Sequence, residues 1–115
     1  SFLEEFYCDW ATPRREELEM RVLHTTTRLA KLLAQSGSLE QAMELLHSAV
    51  VMDPFREEAH YSLIQCAALT GDRATALRHY RSYVDLLKDE LGARPSDDLN
   101  ELASRIARGQ SIPAL

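Results

Sequence analysis

The sequence predicts an all-α fold, an array of antiparallel helix pairs with about five main helices. Three observations predict it. First, residues return at a fixed offset of 34: Gly37 as Gly71, Ala42 as Ala76, Leu46 as Tyr80, Ala49 as Tyr83 and Leu29 as Leu63. Second, the apolar residues between these points recur at helical spacing, and no stretch alternates with period two between hairpin turn signals. Third, the recurring positions include small residues, which let two helices approach while larger neighbours fill the space around them.

Each element has its own local signal. Thr12-Pro13 reads as a capping hydroxyl followed by a Pro whose missing N–H costs nothing in a first turn. From there Leu18, Val22, Leu29, Leu32 and Leu33 mark the expected buried face of a long helix ending near Gly37. Ser38 with Gln41 three residues on predicts a capping box, opening a second helix that runs to about Met52. Asp53-Pro54 breaks it, and a third helix follows over about 56–70. Gly71-Asp72 is a stop and a cap. A fourth helix over about 73–91 is expected to bury Ala76, Leu77, Tyr80, Tyr83, Val84 and Leu87. Residues 92–95 end it, and Ser96 caps a last helix. That helix shows Leu99, Leu102, Ala103 and Ile106 at i, i+3, i+4 and i+7 and stops at Gly109. The short loops make successive helices antiparallel neighbours.

One departure from strict repetition matters. Thirty-four residues after Pro54 stands Lys88, and the corresponding Pro is delayed to Pro95. The fourth helix is therefore expected to exceed its counterpart by about two turns.

Composition narrows the function. At 115 residues, 45% hydrophobic and 27% charged, the chain is one domain with material for a core. A net charge of −5 argues against holding nucleic acid unaided, because phosphate binding asks for a basic face. No apolar run approaches 18 residues, so no membrane contact is expected, and no signal-peptide pattern opens the chain. The two cysteines, Cys8 and Cys66, lack metal spacing and suit a reduced cytoplasmic interior.

A 34-residue period is that of tetratricopeptide repeats, which generally hold partners. The repeat positions, together with Asp53-Pro54, Leu91-Gly92 and Pro95-Ser96, make the chain resemble the bacterial transcriptional activator domain, the tetratricopeptide-like module of SARP-type regulators. Phe2-Leu3, Trp10, Arg15-Glu16 and Leu18 are similar to that family's approach to its first long helix. The run from Asp89 through Gly92 to Ser96 is similar to its junction after the fourth. The resemblance covers about residues 2 to 110. It implies a domain following an N-terminal winged helix-turn-helix, packing against it and supporting dimerisation or contact with RNA polymerase. DNA binding would then belong to that other domain.

The expected organisation is an opening segment, 1–12, arriving from the upstream DNA-binding domain, the helical domain over 13–110, and a tail over 111–115. Catalysis has no support: serine nucleophile elbows and phosphate-cradling Gly-rich loops are absent. Four histidines, His24, His47, His60 and His79, show no pair of matched helix motifs such as a metal site needs, and read as surface or half-buried side chains. No cofactor is expected.

Two groups of residues are candidates for partner contact. With the repeat frame set on Gly37 and Gly71, the tetratricopeptide resemblance puts His24, Thr27, Lys31 and Gln35 on a concave face, joined by Glu58, Tyr61, Gln65 and Leu69. That groove is either open to solvent or filled by the closing helix from Ser96. The second group is an interdomain seam. Phe2, Phe6 and Trp10 suit it as aromatics, with Trp10 packed inward and Phe2 and Phe6 nearer the neighbour. Arg14, Arg21 and Arg28 form a basic line at seven-residue spacing, either a solvated face paired with Glu16, Glu17 and Glu19 or a dock for an acidic neighbour.

The function expected is a regulatory protein–protein interaction domain of a bacterial transcriptional activator. Its partners would be the winged-helix domain, a second protomer or RNA polymerase. The alternative is a freestanding tetratricopeptide-type adaptor for partner peptides. The carboxylate-clamp form of that alternative fails, because the one Asn, Asn100, lies in the closing helix and Lys31 stands alone in the groove.

Overall fold

A computed structural model describes the backbone of residues 2–115 and the side chains of residues 14–115. Phe2, Phe6, Cys8 and Trp10 therefore lie outside the described side chains. The chain forms α1 (Phe2–Gln35), α2 (Leu39–Met52), α3 (Glu57–Leu69), α4 (Arg73–Leu91) and α5 (Asp97–Arg108), with no strand among the described residues. Consecutive helices pack on one another, and α3 also touches α1 and α5, which makes it the centre of the array.

The turns explain the 34-residue echo. Gly37 and Gly71 adopt φ of +93° and +87°, a left-handed backbone that costs Gly nothing. Each closes a Schellman turn: Ser38 N–H reaches the Leu33 carbonyl at 2.8 Å, and Asp72 N–H reaches the Ala67 carbonyl at 3.1 Å. The next helix starts at once. Asp72 accepts the Thr75 N–H at 3.0 Å, and Ser96 Oγ accepts the Leu99 N–H at 3.2 Å, so both expected caps form.

The capping box expected at Ser38 and Gln41 does not form: Ser38 makes no side-chain cap. Its own N–H is already committed to the Schellman turn, leaving Gln41 no donor to reach back for. The start expected at Thr12-Pro13 is likewise overturned, since α1 is helical from Phe2. Pro13 removes the N–H that would reach the Asp9 carbonyl, a loss of about 3 kcal/mol within a helix. Strong helix formers on both sides, Leu3-Glu4-Glu5 and Arg14-Arg15-Glu16-Glu17, carry the helix across it. The fourth helix, at 19 residues, exceeds the 14 of α2 by nearer a turn and a half than two.

Small residues sit where helices meet. Ala30, Ala42, Ala49, Ala59 and Ala76 have no solvent exposure, which permits close helix approach. One core region joins Ile64, Tyr83, Leu87, Leu99, Leu102 and Ile106 across α3, α4 and α5. A second joins Ala30, Ala42, Leu46, Leu63 and Cys66 across α1, α2 and α3. Flanked on both sides, α3 buries every residue from Ser62 to Ala67. On α4, Ala76, Tyr83 and Leu87 are buried as expected, whereas Leu77, Tyr80 and Val84 are half-buried.

The face of α1 is a correction. Leu18, Val22, Leu29 and Leu32 were the expected core stripe, but they are 53%, 49%, 47% and 62% exposed. The buried positions are Leu23, Thr27 and Ala30 on the opposite side, with Leu33 half-buried. Helical periodicity identifies an apolar stripe but not which neighbour covers it.

Candidate interaction surfaces

A concave groove of about 580 Å³ runs between α1 and α3. The repeat frame puts alternate turns of the first helix of each pair on one side, and Lys31, Gln35, Glu58, Tyr61 and Gln65 do line it together. Glu57, Ser62, Ser96 and Asp98 complete the wall with the chain's own Ala114 and Leu115. Three other residues assigned to the groove by sequence fall elsewhere. Thr27 is buried with its hydroxyl donated to the Leu23 carbonyl at 2.9 Å, and His24 and Leu69 are exposed outside the lining.

The groove is filled in part, but not by α5. Residues 111–115 cross it: Gln65 donates Nε2 to the Pro113 carbonyl at 2.6 Å and Gln35 donates Nε2 to the Leu115 carbonyl at 3.0 Å. Helix α5 instead packs on α4 and α3, where Tyr80 OH donates to Asn100 Oδ1 at 2.5 Å. Along the rim Lys31 pairs with Glu58 at 3.1 Å, both half-exposed, a pair worth roughly 0–1 kcal/mol. Glu57 is the joint between helices: Oε1 accepts the Ser96 N–H at 3.0 Å and the Tyr83 hydroxyl at 3.5 Å.

The outer face of α1 is the second surface. Arg14, Arg21 and Arg28 are all exposed there, interleaved with Leu18, Val22, Leu29 and Leu32. Arg21 forms one i,i+4 ion pair, with Glu17 at 3.0 Å. Phe2, Phe6 and Trp10 lie outside the described side chains.

Sequence reasoning missed a histidine cluster. His60 stacks on Tyr83 with ring centroids 3.9 Å apart, His79 lies 5.5 Å from His60, and His47 meets His79 edge-on at 5.9 Å. His60 donates Nε2–H to the Pro54 carbonyl at 2.7 Å. Burial lowers the His60 pKa, opposed by the Pro54 carbonyl, Glu57 and Asp53. It pushes His79 down to about 4, helped by the two neighbouring imidazoles. The three rings come from α2, α3 and α4, so only the tertiary fold assembles them. Among the described residues, no group of three or more His, Cys, Asp or Glu is placed to hold a metal ion. Burial also raises the Cys66 thiol pKa, which makes it a poor nucleophile.

Two comparisons bear on these surfaces. The family model described as bacterial transcriptional activator domain matches residues 1–107. A solved structure of Mycobacterium tuberculosis EmbR in complex with a low affinity phosphopeptide is similar, with TM-score 0.77 and 29% identity. The similarity covers 96% of this chain and 28% of that one, so the chain spans little more than a quarter of its structural neighbour. Comparison with curated proteins finds no match.

Proposed function

The chain belongs to the bacterial transcriptional activator domain family, a regulatory domain of transcriptional activators, and from that premise we propose that it docks on the DNA-binding part of its own polypeptide through the outer face of α1. One observation carries this reading. Position by position, the first helix pair repeats the second, but its outer stations are uncovered. Thr25, Leu29 and Leu32 are exposed, whereas Ala59, Leu63 and Cys66, 34 residues later, are buried against α2. In stacked repeats each pair covers the next, and an apolar first face asks for a preceding element. The EmbR chain, more than three times as long as the matched region, supports the presence of neighbouring domains.

The contact is mixed in character. Leu18, Val22, Leu29 and Leu32 supply apolar area, and Arg14, Arg21 and Arg28 set orientation against an acidic surface. DNA is bound by the winged-helix domain, and RNA polymerase or a second protomer meets the assembled unit in the cytoplasm. The domain works by contact and carries out no reaction. No helix of the described residues is long and apolar enough to cross a membrane. The adaptor alternative draws less support, because residues 111–115 already sit in the peptide groove. A phosphopeptide is a poor match to that groove, where Glu57, Glu58 and Asp98 oppose Lys31.

The test uses the native polypeptide with its DNA-binding part. Leu29→Glu with Leu32→Glu is expected to abolish promoter activation while leaving the helical content of the isolated domain unchanged. Activation at the wild-type level by the double variant would overturn the docking assignment.

A further inference from the structure

We propose that the concave groove is a receptor for an extended, uncharged peptide segment, and that residues 111–115 occupy it as a ligand in cis. Gln65 on α3 and Gln35 on α1 hold the Pro113 and Leu115 carbonyls, two residues apart. An extended chain advances about 3.3 Å per residue, so two side-chain amides on neighbouring helices read it as a strand is read, through its backbone. Just before the first anchor Ile112 packs against the core region of Ile64 and Leu99, and at the second Leu115 packs against that of Ala30 and Leu63. Apolar residues three apart face the same way on a polyproline-type turn, and Pro113 favours that conformation.

The receptor side is built for an occupant. Gln65 is 4% exposed, and its amide spends its hydrogen bond on the Pro113 carbonyl. A buried amide needs a partner, and the Pro113 carbonyl supplies it while residues 111–115 cover the groove. Charge selects the occupant's class. Lys31 is paired with Glu58, which leaves Glu57 and Asp98 to repel acidic or phosphorylated segments. The bound segment, Ser-Ile-Pro-Ala-Leu, has no charged side chain.

The cis segment is exchangeable in principle, because both polar anchors read backbone and any extended segment with apolar residues three apart satisfies them. Its tether is short, running from the end of α5 at Arg108. A short tether gives a local concentration on the order of millimolar. A partner segment therefore competes only when it binds better, or when residues 111–115 are drawn away. The domain gains a second interaction surface, distinct from the outer face of α1 and closed by default.

The test compares the 115-residue chain with one ending at Gln110, using a synthetic peptide of the sequence of residues 110–115 as the probe. Amide chemical shifts should show saturable binding to the shortened chain, centred on Gln35, Tyr61 and Gln65, and at least tenfold weaker binding to the intact one. Gln65→Met in the shortened chain should weaken binding about tenfold. A shortened chain that keeps its helical spectrum and ignores the peptide overturns the proposal, as does equal binding by both chains. If the shortened chain does not fold, backbone order in the intact chain decides. Order parameters for residues 112, 114 and 115 near the rigid value of about 0.85 are expected, falling below about 0.6 in Gln65→Met. Values below about 0.6 in the unaltered chain overturn it.

Discussion

Leu29 and Leu63 stand at the same station of consecutive helix pairs, 34 residues apart, yet Leu63 is 2% exposed and Leu29 47%. Leu63 is sealed by Ala42 and Leu46 of the preceding α2. Leu29 has the same local sequence pattern and no described helix before it. Leu63→Ala is expected to destabilise the isolated chain by about 2–5 kcal/mol, the range for emptying a core leucine site. Leu29→Ala should stay within about 0.5 kcal/mol, as a surface change does. Chemical denaturation of the two variants measures both.

The histidine cluster makes stability depend on pH. The folded pKa values of His60 and His79 lie below the unfolded value of about 6.5, so the unfolded chain binds more protons on acidification. Their contribution is complete above about pH 7 and is lost as pH falls toward the His79 value of about 4. From His79 alone the loss by pH 5 is about 1–2 kcal/mol after allowance for screening. Thermal unfolding should show a lower Tm at pH 5 than at pH 7.5, with the difference reduced in His79→Gln. At the alkaline end Tyr83, raised to about 12 by burial and by Glu57, should cost stability as pH climbs from 10 toward 12.

Glu57 ties the start of α5 to α3 and α4 through the Ser96 N–H and the Tyr83 hydroxyl. Glu57→Ala should lower stability by about 1–2 kcal/mol. Amide exchange at Ser96 should rise more than exchange in α2, which distinguishes a local joint from general loosening.

Arg73 holds the far end of the same helix, donating Nε to the Ile106 carbonyl at 3.0 Å and a second guanidinium nitrogen to the Ala107 carbonyl at 2.9 Å. These carbonyls lie in the last turn of α5, where helical N–H donors run out; the Ile106 carbonyl also accepts the Gly109 N–H at 3.1 Å. Arg73→Met keeps the stem and removes both bonds. It should fray residues 105–110 in amide exchange and cost about 1–2 kcal/mol.

The sequence was most legible where structure is local. Gly37, Gly71, Asp72 and Ser96 each carry their own turn or cap chemistry, and α2 to α5 fall within a residue or so of their expected ends. The groove positions Lys31, Gln35, Glu58, Tyr61 and Gln65 followed from the repeat frame, because repetition transfers geometry from one pair to the next. What needed a neighbour did not follow. Leu18 and Leu32 have the pattern of a core face with nothing described upon it, and His47, His60 and His79 meet only through α2, α3 and α4 together. Residues 111–115 have no periodicity, so nothing in their sequence foretold a seat in the groove. Pro13 misled for another reason: Thr-Pro opens helices often, yet a helix strong on both sides passes through it.

If α1 docks as proposed, its outer face is covered in the full polypeptide. The most direct measurement is amide hydrogen exchange of residues 18–32, compared between the 115-residue chain and a longer polypeptide that carries the proposed DNA-binding part. Docking predicts slower exchange in the longer polypeptide, concentrated at residues 18–32, with α5 unchanged. Identical exchange in both would contradict it.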